Sequence, residues 1–247
     1  MNDFTQHSHI SRILTNPRVL DNPQAFFDLY ALPIRKFFLC LCGNADEADE
    51  QCQEFAVKFL TGSFDRFDAS KGRFRDYLKS SLRNQVRKSA KFSAKLPGAI
   101  PENHDALDPK ALQPIDSAMR EFDSMEGKQI MQLVDEDMHA DEQDGKNRYH
   151  SLLAFVLQYQ QDRLEEFRQN GGRAKVAVSA IVDFFEQRFG ERISTENAKQ
   201  RLRRAKATFA SKMISEIAVR LRQPTRETIR EAAEEMNLWT YIHKEMT

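Results

Sequence analysis

Apolar positions along this chain recur at spacings of three and four, and no stretch alternates as a half-buried strand does. The pattern predicts an all-α protein. A first helix opens at Asn22-Pro23 and carries Phe26, Phe27, Tyr30, Phe37 and Phe38. Pro33 either kinks it or sits in its first turn, and Gly43-Asn44 ends it. A second helix over 45–60 places Ala45, Ala48, Cys52, Phe55 and Phe59 on one stripe. Its opposite face holds Glu47, Glu50, Glu54 and Lys58, flanked by Asp49 and Gln53, with Val57 pointing outward. A loop from Gly62 leads into a basic helix over about 73–91.

Residues 96–114 change character: four prolines and no period predict a linker. Beyond it the spacing predicts helices over about 117–139 and 149–169. The second of these offers Leu152, Leu153, Val156, Leu157, Tyr159 and Leu164 to a core. Two further helices, 176–189 and 194–219, are joined by a short turn. Gln223-Pro224 stops the latter, and Thr225 caps a last helix ending near Lys244. The expected organisation is therefore a tail (1–20), a helical domain (21–95), a linker (96–116), a second helical domain (117–222) and a C-terminal helical extension (223–247).

Composition changes the picture through charge. The 247 residues are 40% apolar, enough for two cores, and carry 37 basic and 37 acidic side chains. Neutrality overall hides segregation: residues 62–95 and 188–222 each carry a net charge of about +7, and residues 96–145 about −10. The acidic stretch is expected to attract the basic surfaces in the free protein. Its run VDEDMHADEQD does not fit a calcium loop, lacking Gly at the sixth position from Asp135 and Glu at the twelfth.

Three cysteines, Cys40, Cys42 and Cys52, argue against a disulfide framework and for a reducing compartment. No histidine stands near them to complete a metal site, so small buried side chains are expected there. No run is long and apolar enough to span a membrane, and the polar N-terminus lacks a signal-peptide core, which places the protein in the cytoplasm. No spacing supports a nucleophile, a metal or a phosphate loop; an enzyme is not expected, nor a cofactor.

Two surfaces remain to be explained. Residues 67–91 hold eight Lys or Arg against two Asp, interleaved with Phe67, Phe74 and Tyr77. Phe74 shares a face with Leu78 and Leu82 and belongs to a core, as does one of Phe64 and Phe67. Cations that track phosphate beside rings that stack bases are also how single strands are held. The helix pair 176–219 is a helix-turn-helix candidate, broken at Gly190 and capped by Ser194 or Thr195. Ala198, Leu202, Ala205, Phe209 and Met213 form the inner stripe of its second helix. Glu196, Gln200, Arg203 and Arg204 lie opposite, with Asn197 and Lys199 on the flanks. These residue types pair with base edges, while Arg201 and Lys206 suit phosphates. The alternative is a solvated basic helix.

The segment ADEADEQCQEFAVKFL, the phenylalanine-bearing loop after it and KGRFRDYLKSSLRN resemble region 2 of bacterial RNA polymerase sigma factors of the extracytoplasmic-function type. STENAKQRLRRAKATF resembles the recognition helix of their region 4. The nearest form is the planctomycete-type subgroup, which has a C-terminal extension. Glu50 stands where Asp is usual, and Tyr77 where Trp is usual. The resemblance implies a sigma factor with core RNA polymerase and promoter DNA as partners, an anti-sigma factor as a candidate third, and a free monomer. It implies that Asp49, Glu50, Gln53 and Glu54 dock on the polymerase. It places the upstream element on Thr195, Glu196, Asn197, Lys199, Gln200, Arg203 and Arg204. The melted element falls to Phe64, Phe67, Lys71, Arg73, Arg75, Tyr77, Lys79, Arg83, Asn84, Arg87 and Lys88. A helix-turn-helix regulator that never joins polymerase is the rival.

Overall fold

The computed structural model of the chain describes residues 23–62, 64, 67–68, 73–88, 109–163, 175–221 and 224–246, with 109–112 as backbone only. Every regular element among them is a helix: α1 (Pro23–Cys42), α2 (Ala45–Leu60), α3 (Phe74–Lys88), α4 (Pro109–Gln143), α5 (Tyr149–Asp162), α6 (Val178–Phe189), α7 (Thr195–Val219), α8 (Arg226–Glu235) and the single turn α9 (Trp239–Ile242).

The chain divides into two compact units. The first takes the residues up to Ile130 together with Ile214–Met246, and the second is Met131–Met213. α1 buries Phe26, Leu29, Tyr30, Pro33, Ile34, Phe37 and Phe38, a run of three- and four-residue steps. Pro33 lies mid-helix and the helix continues through it. An interior proline costs about 3 kcal/mol. Phe37 and Phe38 beyond it are fully buried, and each buried aromatic returns about 1.5–3 kcal/mol. Gly43 turns the chain at φ +69°, and the Asn44 side chain accepts from the Asp46 N–H at 2.8 Å to cap α2. α2 returns along α1 with Phe59 stacked on Phe26, ring centroids 3.8 Å apart. The stripe of α2 differs from expectation at two places: Gln51 is buried within it and Ala45 is exposed.

The expected linker ends earlier than its prolines suggest. α4 begins at Pro109 and carries Pro114 inside it. Its Ile115, Ala118, Met119 and Phe122 join the core formed by α1, α2 and α3. Pro109 stands at the first helical position, where its missing N–H has no acceptor to serve. Residues 116–130 thus belong with the first unit rather than opening the second.

The C-terminal segment also belongs to the first unit. Ile229, Ala232, Ala233, Met236, Leu238 and Ile242 are buried. Gly127 of α4 lets the backbone of Met236 come so close that a Cβ there would stand 2.4 Å from its carbonyl oxygen. The expected single helix over 225–244 is interrupted, since Asn237 takes φ 60° and separates α8 from the turn α9.

In the second unit Leu152, Val156, Ile181, Phe185, Ile193, Ala198 and Ala205 form the core. Leu157, expected inside, is 63% exposed. Leu164 lies outside the described residues.

Candidate nucleic-acid interface

α7 begins where the sequence places it. Gly190 adopts the left-handed conformation at φ 66°, and its N–H and that of Glu191 return to the carbonyls of Glu186 and Phe185, closing α6. Ser194, not Thr195, is the cap: its hydroxyl accepts from the Asn197 N–H at 3.2 Å. Ala198, Ala205 and Met213 are fully buried. Thr195, Glu196, Asn197, Lys199, Gln200, Arg203 and Arg204 are exposed on the other side.

Not all of these are equally available. Arg201 is inside the turn, donating to both oxygens of Glu191 and to Asn197 Oδ1 at 2.9 Å, with its guanidinium 4.8 Å from the Phe185 ring. It fixes the turn and is not a free phosphate contact; Glu191 is held below the usual carboxylate range chiefly by that hydrogen bond. Lys199 pairs with Glu196 at 3.5 Å. Among the described residues nothing hydrogen-bonds or pairs with the side chains of Gln200, Arg203 or Arg204. Beside them a cleft of about 910 Å³ opens, lined by Lys146, Arg148, Gln200 and Arg204 among others. The Arg148 guanidinium lies 3.9 Å from the Phe189 ring centroid. The acids of the run 135–144 are engaged locally within this unit. Asp137 and Asp141 hold Lys212, Asp141 also holds Lys146 at 2.7 Å, and Glu142 accepts from the Ser151 N–H at 2.8 Å.

The basic helix α3 looks different. Its inward face is Arg75, Leu78, Lys79, Leu82, Gln85 and Val86. Arg75 and Lys79, expected on phosphates, point into the first unit. Arg75 is 1% exposed. Its Nε donates to Glu126 at 2.7 Å, and its other nitrogens donate to Asp123 and Glu235. Lys79 Nζ lies 2.7 Å from both Asp123 and Glu235. Burial alone would lower the pKa of Arg75, but the Glu126, Asp123 and Glu235 carboxylates outweigh it and the pKa rises. Glu235 also resists its burial: the hydrogen bond from Lys79 and the charges of Arg75 and Lys79 hold it down at about 2. Burying one cation beside several carboxylates is stable only while each keeps a partner. Of the carboxylate oxygens in this network, Glu126 Oε1 is buried without a hydrogen-bond partner among the described residues.

The remaining cations of this set are partly engaged. Arg73 donates to Asp76 at 2.7 Å and lies 3.3 and 3.4 Å from Glu231 and Glu235. Arg83 is 3.8 Å from Asp116. Arg87 is half-buried, while Asn84 and Lys88 are exposed. Lys71 and most of the loop 62–71 lie outside the described residues. The rings serve the core rather than an open stacking platform. Phe64 is 5% exposed, 5.3 Å from Phe55 and Phe59; Phe67 and Tyr77 are half-buried, 5.4 Å from each other.

On α2 the proposed docking residues separate. Glu50, Gln53 and Glu54 are exposed. Asp49 is taken by Arg35 of α1 at 2.6 Å. Sequence reasoning missed the buried amides beneath this face: Gln85 of α3 donates to the Gln51 carbonyl at 3.1 Å and to its side chain at 3.2 Å, and accepts from Lys58. The signal was a glutamine at an apolar position of each helix. Cys40 is exposed rather than buried, Cys42 and Cys52 are half-buried, and burial pushes the Cys52 thiol up to about 11. No helix among the described residues is long and apolar enough to cross a membrane. The chain matches no family model, no curated protein and no solved structure.

Proposed function

We propose that the chain is an RNA polymerase sigma factor of the extracytoplasmic-function type, directing promoter recognition and DNA melting. The observation that carries the reading furthest is the outer face of α7, where Gln200, Arg203 and Arg204 stand exposed, their side chains unpaired among the described residues, behind a turn fixed by Gly190, Ser194 and Arg201. A rigid turn that presents free guanidinium and amide groups suits the major groove. The exposed Glu50, Gln53 and Glu54 on α2 supply the face that docks on core polymerase. Region 2 corresponds to α1–α3, region 4 to α5–α7. The protein brings no bond chemistry of its own, since the polymerase supplies it.

The test is co-purification of the chain with core RNA polymerase, followed by transcription from promoter templates with the reconstituted enzyme. Stable association and promoter-dependent transcripts support the reading; neither, with DNA binding retained, moves it to the rival. One observation favours that rival, a free-standing helix-turn-helix regulator: Arg75 and Lys79 are engaged inside the first unit rather than open to DNA.

A further inference from the structure

The C-terminal segment 224–246 has no role in the reading above, yet it is built into the first unit with care. α8 has a capping box at Thr225 and Thr228 and buries Ile229, Ala232 and Ala233. Met236 follows, on the backbone contact that Gly127 permits. This geometry brings two acids of α8, one turn apart, onto the N-terminal half of α3. Glu231 lies 3.3 Å from Arg73, and Glu235 reaches Arg73, Arg75 and Lys79. Other acids of α8 go elsewhere: Glu234 pairs with Arg230 at 2.9 Å, and Glu227 is exposed.

We infer that α8 is a built-in cover whose Glu231 and Glu235 occupy Arg73, at the N-terminal edge of α3, a cation that otherwise takes nucleic-acid phosphate, so that the free chain binds DNA along α3 more weakly while these carboxylates hold it. This rests on the reading of α3 as a DNA-facing helix. The cation released is Arg73; Lys79 keeps Asp123 of α4 at 2.7 Å. Arg75 stays inside in either state, because Glu126 and Asp123 of α4 hold it. That division matters physically. Without the charge of Glu235, the two cations Arg75 and Lys79 still face the two carboxylates Asp123 and Glu126, so the interior remains balanced. The cover can be removed without leaving an uncompensated buried charge. Side-chain carboxylates and backbone phosphates compete for the same donors, and guanidinium binds both in similar geometry.

The experiment measures binding of the full-length free chain to a fluorescein-labelled single-stranded DNA oligonucleotide, with core-polymerase association followed in parallel. The double variant Glu231→Gln with Glu235→Gln is expected to bind about fivefold to tenfold tighter at about 0.05 M salt, the gap narrowing at about 0.5 M. The double variant Glu227→Gln with Glu234→Gln changes net charge equally and is expected to stay within about twofold of wild type. Adding Arg73→Ala to the first variant is expected to remove part of the gain. Circular dichroism confirms that each variant is folded. Equal tightening by both double variants overturns the cover, as does no tightening, or a gain indifferent to Arg73→Ala. If the cover fails while polymerase association holds, the sigma reading survives. If the cover holds while polymerase association fails, only the sigma reading falls.

Discussion

Helices α3 and α7 lie in segments of equal net charge, about +7 each over residues 62–95 and 188–222, and their central cations, Arg75 and Lys79 against Arg203 and Arg204, have opposite fates. On α7 the inward stripe is Ala198, Ala205 and Met213, and the arginines at 203 and 204 face outward without partners among the described residues. On α3 the inward face itself includes Arg75 and Lys79, which meet Asp123, Glu126 and Glu235. The difference lies in what each helix packs against. Small apolar side chains on α7 admit neighbours that need no charge. An arginine at an inward position of α3 has to be matched by carboxylates from elsewhere in the chain, 48, 51 and 160 residues away. Equal charge therefore does not imply equal availability to DNA.

The comparison is broken most severely at Arg75. Arg75→Ala strands Asp123 and Glu126 without their main cation, and a stability loss of about 3–5 kcal/mol is expected in urea unfolding. A loss under about 1 kcal/mol would mean that the network relaxes freely. Gly127→Val tests the same unit from the other side. A Cβ 2.4 Å from the Met236 carbonyl oxygen cannot be accommodated by a side-chain shift, since its neighbour is backbone. Limited proteolysis is expected to cut within 224–246 much faster in this variant; unchanged protection would place the segment's hold elsewhere.

On α7 the expected effects are on binding and not on folding. Arg203→Ala should leave stability within about 0.5 kcal/mol and weaken binding to duplex carrying the cognate site, relaxing preference at one base pair by about 1–3 kcal/mol. An equal loss on every sequence would make Arg203 a phosphate contact. The smallest effect on stability is expected from Glu54→Arg on α2. Glu54 is exposed, 3.5 Å from the Gln85 amide, so the fold should survive while core-polymerase capture in a pull-down weakens. Unchanged capture would remove Glu54 from the docking face.

Much of the fold was legible in the order of residues, because helix periodicity and caps are local. The end of α1 at Gly43-Asn44 and the break at Gly190 both follow from glycines free to take positive φ. The outward set Gln200, Arg203 and Arg204 follows from an apolar stripe on the opposite side. Local signals misled where a residue type had two uses. Pro109 and Pro114 read as linker, yet both lie in α4, because the apolar positions at 115, 118, 119 and 122 had a core to enter. Leu157 read as core and is exposed, since periodicity shows which side of a helix is apolar but not how far a neighbour extends over it.

The amino-acid sequence alone thus determined the all-α class, the register of the α6–α7 helix pair and the segregation of its charge. Only the tertiary structure decided which cations are open and which are closed. Ion pairs such as Arg75 with Glu126, or Lys79 with Glu235, join positions remote in sequence. Their strength depends on burial and geometry that the packing of α3, α4 and α8 creates, and no local pattern of residues carries that information.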